Sequence, residues 1–256
     1  MSNMSKVWFI GAGPGAEDLL TLRAARLIGE SDVLVWARSL VKEEVLEHAS
    51  PGAEIFESTS VPLEKVQELY ERATREELTI GRIHSGDPSL WGAVLEQIEI
   101  CDELGLDWEI VPGVSSFGAA AAAIGRELTV PEIAQSLIVT RRASRTPMPD
   151  GETIQGFARH GTTMAIFLAA ARPRELQKDL IEGGYAEDTP CAVVYRATWP
   201  DELIIRCPLS ELAERIRDAG FNRQAMILVG PGLAAGGTRS HLYSPDFAHR
   251  FRGARA

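Results

Sequence analysis

What the sequence lacks narrows its chemistry first. The chain of 256 residues holds three cysteines, Cys101, Cys191 and Cys207. None forms a Cys-x-x-Cys pair, which leaves buried free thiols in a reducing cytoplasm as the expected state. The five histidines are scattered, and no metal-ligand spacing occurs. No Ser/His/Asp or Cys/His arrangement suggests a nucleophile with its base. The formal net charge of −10 speaks against a general nucleic-acid coat. No apolar run is long enough to cross a bilayer; the lowest-polarity stretch, Phe117 to Gly125, is short and alanine-rich. There is no leader-like apolar segment at the N-terminus, no repeat and no low-complexity tract. A chain without metal, nucleophile or acid–base pair suits a reaction in which an activated cosubstrate supplies the chemistry and the protein supplies position. Methyl transfer from a sulfonium is such a reaction.

What is present is an α/β pattern. The composition, 45% hydrophobic and 24% charged, is that of a globular protein with room for two modest domains. Strands are expected at Val7–Ile10, Asp32–Trp36, Ala53–Phe56, Leu78–His84 and Trp108–Val111, alternating with helices. The first helix carries Leu20, Ala24, Leu27 and Ile28 on one face. A second is expected from a Ser39 cap to His48, and a third from Pro62. A fourth should have Leu90, Val94, Leu95 and Ile98 inward. The alanine-rich 117–124 reads as a packed helix. From about residue 126 the pattern restarts: a strand at Ser136–Val139, a loop over 141–151, a helix at Gly151–His160, a strand at Thr163–Leu168 and a helix at Pro173–Glu182. Cys191–Tyr195 and Leu203–Arg206 read as an antiparallel hairpin, followed by a helix at 209–219 and a strand at Ala225–Val229.

Three strands end in small, polar turns: Gly11-Ala-Gly-Pro-Gly15, Ser85-Gly-Asp-Pro-Ser89 and Pro112-Gly-Val-Ser-Ser116. Ligands bind at the carboxyl ends of strands in open parallel sheets, so one shared crevice is favoured over three unrelated turns. The first turn is not a dinucleotide fingerprint. It lacks Gly-x-Gly-x-x-Gly spacing, Pro14 has no N–H to offer a phosphate, and Glu17 and Asp18 would repel one. The strand ending at Trp36 continues into Ala37-Arg38-Ser39, without the carboxylate that would grip a ribose. Asp87 is a candidate general base, a hydrogen-bond acceptor or a turn former. His84 precedes it by three residues and need not share its face. Arg141, Arg142 and Arg145 form a basic cluster in an acidic chain. They are either a solvated loop or a clamp for a polyanionic small molecule.

Those three turns, in this order and spacing, resemble the tetrapyrrole methylases, and the resemblance runs over nearly the whole chain. Further stretches support one branch of that family: Arg82–Trp91, Glu127–Glu132, the Thr140–Pro147 loop, Tyr195–Glu202 and the tail Leu242–Phe247. The resemblance implies two α/β domains, 1–113 and 114–256, with the active-site cleft between them. It implies methylation of precorrin-4 at carbon 11 by S-adenosyl-L-methionine, giving precorrin-5 and S-adenosyl-L-homocysteine in cobalamin biosynthesis. By the same likeness the cofactor is touched by Pro14, Ser85, Gly86, Asp87, Leu90, Ser115, Ser116, Leu168 and Ala197. Arg38, Arg141, Arg142 and Arg145 become candidates for the carboxylates of the tetrapyrrole substrate. A cytoplasmic homodimer with neither nucleic acid nor membrane as partner is implied. The alternatives are another tetrapyrrole methylase, including one acting on cobalt-precorrin-4, a nicotinamide oxidoreductase, and a non-catalytic nucleotide-binding regulator.

Overall fold

The computed structural model describes residues 5–143, 146–234, 236, 240–244, 247–248 and 250. Contacts divide the chain into two compact units. The first is Met1–Ala119 with Thr198–Pro200; the second is Ala120–Ala197 with Asp201–Ala256.

The first unit is built on β1 (Lys6–Gly11), β2 (Val33–Trp36), β3 (Glu54–Glu57), β4 (Thr79–His84) and β5 (Asp107–Val111). They form one sheet in the order β3-β2-β4-β1-β5, and every pairing is parallel. Both faces are covered, so the central strands read as nearly continuous apolar runs. Helices α2 (Leu63–Glu76) and α3 (Leu95–Leu104) lay Val66, Leu69, Tyr70, Ile98 and Cys101 over Val7, Phe9, Val33, Val35 and Ile80. Helix α1 (Leu22–Glu30) covers the opposite face, with Ala24, Leu27 and Ile28 against Ile10, Leu34, Trp36 and Ile83. Strand β1 lies between β4 and β5, which places the carboxyl ends of these three strands side by side.

The second unit holds β6 (Leu137–Arg141), β7 (Thr163–Phe167), β8 (Pro190–Tyr195), β9 (Leu203–Pro208) and β10 (Ala225–Val229) in the order β6-β7-β10-β8-β9. Only β6 and β7 pair in parallel; the rest of the sheet is antiparallel. Helices α5 (Ile154–Ala158), α6 (Pro173–Glu182) and α7 (Leu212–Asp218) bury Ile154, Leu176, Leu180, Leu212 and Ile216 against Met164, Ile166, Val193, Ile227 and Val229. Helix α4 (Ser116–Ala123) spans the point at which the chain passes from one unit to the other.

Both units are α/β, and the expected hairpin is present, with Cys191 paired to Cys207 across it. All three cysteines are free and buried. The structure corrects four local expectations. Residues 39–48 form no α-helix: a 3-10 segment, Glu43–His48, begins only after Lys42, and the stretch buries only Val41 and Val45. Pro62 caps α2 from just outside the helix. Helix α3 starts at Leu95, five residues later than the apolar spacing suggests, because Trp91 and Ala93 adopt left-handed backbone (φ +55° and +48°). Leu95 consequently points outward and is 75% exposed. Leu20, expected on the first helix, instead follows a separate 3-10 turn, Glu17–Leu19. Helix α1 begins beyond it, capped by Thr21 Oγ1, which accepts from the Ala24 N–H (3.0 Å).

Candidate functional site

The three turns meet backbone on backbone at the carboxyl ends of β1, β4 and β5. Gly13 and Gly86 exchange hydrogen bonds, Gly13 N–H to Gly86 O (3.2 Å) and Gly86 N–H to Gly13 O (2.8 Å). Both glycines are left-handed, at φ +73° and +66°, a conformation that side chains with a Cβ resist. Gly113 belongs to the third turn. A Cβ there would overlap the Gly86 carbonyl oxygen and lie 2.8 Å from Gly11 Cα. Ser115 and Ser116 complete the contact: their Cα and N stand 3.9 and 3.8 Å from where a Gly86 Cβ would be.

Asp87 braces this assembly. Oδ1 accepts from the Ser89 N–H (2.8 Å) and from the Ser89 hydroxyl, and Oδ2 accepts from the Gly113 N–H (3.0 Å). Burial acts to raise its carboxyl, but these hydrogen bonds outweigh burial and hold it below its ordinary value. A carboxylate held in this way is a poor proton acceptor at neutral pH. The geometry therefore supports the turn-forming and accepting roles of Asp87 rather than general-base work. Leu90 joins the same turn, donating its N–H to Asp87 O (3.2 Å).

Pro14, Ser85, Gly86, Asp87, Leu90, Ser115 and Ser116 are therefore all carried by these turns in the first unit. No Lys or Arg occurs in any of the three turns. They offer peptide groups, serine hydroxyls and one carboxylate. That set fits a nucleoside with a positively charged sulfur, and the Asp87 carboxylate and the missing N–H of Pro14 disfavour a diphosphate. No group of three or more His, Cys, Asp or Glu suited to a metal is found among the described residues.

The other expected site residues stand elsewhere. Leu168, just after β7, is 63% exposed with left-handed backbone (φ +52°), and Ala197 is buried between β8 and β9. Both belong to the second unit. Arg38 is exposed, 3.7 Å from Glu43 and 5.7 Å from the centre of the Trp36 ring. Arg141 ends β6 and donates to the carbonyls of Thr146 (3.3 Å) and Pro147 (2.6 Å), folding its own loop. Arg142 departs from the expected clamp. Its Nε is committed to Asp179 (3.2 Å) on α6, and this pair is largely buried. Arg145 lies outside the described residues.

Sequence reasoning passed over Arg82 in β4. Its Nε donates to Gln97 Oε1 (3.1 Å) and its Nη1 to Ser58 Oγ (3.2 Å). No carboxylate pairs with it among the described residues. A charged residue inside a strand that is otherwise almost wholly buried was the signal available. Two residues on and directly opposite Gly11, His84 is 8% exposed, and its Nε2 has no hydrogen-bond partner. Burial, and then the charge of Arg82, push its imidazole down to about 3. The folded protein thus keeps His84 neutral, whereas the unfolded chain protonates it below about 6.5. Stability is then lost as pH falls below that value, by up to ~1.4 kcal/mol per pH unit from this group. His84→Asn should flatten the decline between pH 6.5 and 5 in urea unfolding; parallel curves for the two proteins would refute this.

Comparison with known proteins places the arrangement. The sequence model of the tetrapyrrole (corrin/porphyrin) methylases matches residues 6–213. The chain belongs to this family. Among curated relatives of this tetrapyrrole methylase is the cobalt-precorrin-4 C(11)-methyltransferase of Methanocaldococcus jannaschii, 44% identical over 253 residues, covering 98% of each chain. The precorrin-4 C(11)-methyltransferase of Pseudomonas aeruginosa is also 44% identical, over 96% of this chain and 98% of its own. A solved structure of a cobalt-precorrin-4 methyltransferase, described as a cobalamin biosynthetic enzyme, superposes with a TM-score of 0.87 at 41% identity, over 90% of this chain and 96% of that one.

Proposed function

We propose that this tetrapyrrole methylase transfers a methyl group from S-adenosyl-L-methionine to carbon 11 of precorrin-4 in cobalamin biosynthesis. The observation that carries this reading is the 44% identity, over almost the full length, to relatives named for that reaction. The site adds a physical argument. The bound sulfonium supplies an already activated methyl group, so the protein needs no nucleophile or metal of its own. Its task is placement, and oriented reactants can account for roughly 7–11 kcal/mol of a barrier. Pro14, Ser85, Gly86, Asp87, Leu90, Ser115 and Ser116 bind the cofactor from turns fixed to one another through backbone. The substrate nucleophile is a ring carbon of a polycarboxylate, and Arg38, Arg141 and Arg145 are the candidates for meeting its carboxylates, Arg142 being held by Asp179.

Incubation with precorrin-4 and a methyl-labelled donor, followed by NMR of the product, tests the reading. A label at any carbon other than 11 overturns it. Relatives named for the cobalt and the metal-free substrates are equally similar, so the assay is run with both. Tight binding of NAD without binding of S-adenosylhomocysteine would favour an oxidoreductase instead. Arg141→Ala is expected to raise the KM for the tetrapyrrole about tenfold, the scale of one charge-assisted contact, with the cofactor KM within about twofold of wild type. Equal rises in both would remove Arg141 from the substrate site. The reading includes a homodimer acting in the cytoplasm, and sedimentation at micromolar concentration checks the dimer.

A further inference from the structure

The connection between β8 and β9 is an unusual place for backbone strain. Arg196 and Thr198, on either side of buried Ala197, both have left-handed backbone, at φ +46° and +68°. Neither is glycine, so such conformations persist only where surrounding contacts over-determine them. The contacts are there. Arg196 donates its N–H to Gln224 O (2.8 Å), its Nε to Gln224 Oε1 (3.1 Å) and its Nη1 to Asp201 Oδ2 (2.7 Å). Its guanidinium also lies 5.6 Å from the centre of the Tyr195 ring.

The next residues, Thr198–Pro200, belong to the first unit, and they act on the glycine-rich turn. Trp199 Nε1 donates to the Pro14 carbonyl (2.9 Å), and Thr198 Oγ1 accepts from the Ala16 N–H (2.9 Å). The residue between them is Gly15. A Cβ there would overlap Cδ1 and Nε1 of the indole and lie 3.1 Å from Thr198 Oγ1. The ammonium of Lys42 lies 5.9 Å from the centre of the indole ring. Pro14 has no N–H, so its carbonyl is its one backbone polar group, and Trp199 occupies one of that oxygen's two acceptor positions. The last glycine of the turn is thus explained by the tryptophan that lies over it.

We propose that Trp199 is a positioning residue for the cofactor site, fixing Pro14–Ala16 in the form that receives S-adenosylmethionine. The inference rests on the reading that these turns hold that cofactor. It assigns a role to Trp199 within the Tyr195–Glu202 stretch, through its contact with the glycine-rich turn.

Trp199→Phe retains an aromatic ring and removes the N–H; Trp199→Ala removes both. Calorimetric titration with S-adenosylhomocysteine should show about a tenfold loss of affinity for the phenylalanine variant, the scale of one hydrogen bond. The alanine variant should lose more. In steady-state assays the effect should fall on the KM for S-adenosylmethionine more than on kcat. A ligand-induced change in tryptophan emission is expected in the wild type and should be largely absent from Trp199→Phe at ligand concentrations that saturate it. Should Trp199→Ala fail to fold, the phenylalanine variant decides. Unchanged affinity and an unchanged emission response in Trp199→Phe would overturn the proposal while leaving the cofactor reading standing. A wild-type protein that does not bind S-adenosylhomocysteine would overturn both.

Discussion

Gly113→Ala is expected to lower stability by about 3 kcal/mol and to weaken S-adenosylhomocysteine binding on the order of 100-fold. The new methyl would overlap the Gly86 carbonyl oxygen and crowd Gly11 Cα. All of these neighbours are backbone, so no side-chain rotation relieves the overlap. Relief requires the third turn to move away from the other two. That movement breaks the hydrogen bond from the Gly113 N–H to Asp87 and pulls apart the surface assigned to the cofactor. Gly118 in α4 is the control. Nothing lies within 4 Å of a Cβ placed there, and alanine favours a helix over glycine by up to ~1 kcal/mol. Gly118→Ala should therefore leave the protein as stable or slightly more so. Thermal unfolding and calorimetry on both variants check the contrast. A Gly113→Ala protein with wild-type stability and affinity would show that the three turns are not in contact.

Asp87→Ala is expected to have the second largest effect. Two backbone N–H groups, of Ser89 and Gly113, lose a charged acceptor. Hydrogen bonds to charged groups contribute about 1.5–3 kcal/mol each, less where water replaces them. A loss of about 2 kcal/mol in stability and at least tenfold in cofactor affinity follows. The pH dependence has a definite sign. The folded carboxyl lies below its ordinary value, so its contribution is complete above the unfolded pKa, about 3.9. It is lost as pH falls through the folded value. Asp87→Asn should lose this acid-side dependence while filling the same space. A variant that binds cofactor as the wild type does would take Asp87 out of the site.

Much of the first unit could be read in the sequence because its signals are local. Apolar runs marked β1, β2 and β4, and glycine, proline and serine marked the turns that follow. What stayed hidden depends on partners distant in the chain or on backbone state. The start of α3 was obscured because Leu90, Val94, Leu95 and Ile98 have helical spacing, while Trp91 and Ala93 leave helical φ. Arg142 read as a free cation because its partner Asp179 lies 37 residues on. Gly113 and Gly15 looked like ordinary turn glycines. Only the approach of Gly86 to one and of Trp199 to the other shows why a side chain is barred. Arg82 was overlooked because periodicity weighs apolar residues and passes over the charge between them.

The membership of Thr198–Pro200 in the first unit bears on how the protein is made. Gly11–Gly15 leaves the ribosome ahead of β4 and β5, which follow within about the next hundred residues. The tryptophan that covers the turn is translated on the order of 10 to 40 s later, at the usual pace of synthesis. The N-terminal sheet can form before then, but its glycine-rich turn stays without its cover until most of the second unit has been made. Chains truncated before residue 198 should therefore carry a sheet with an unfinished turn.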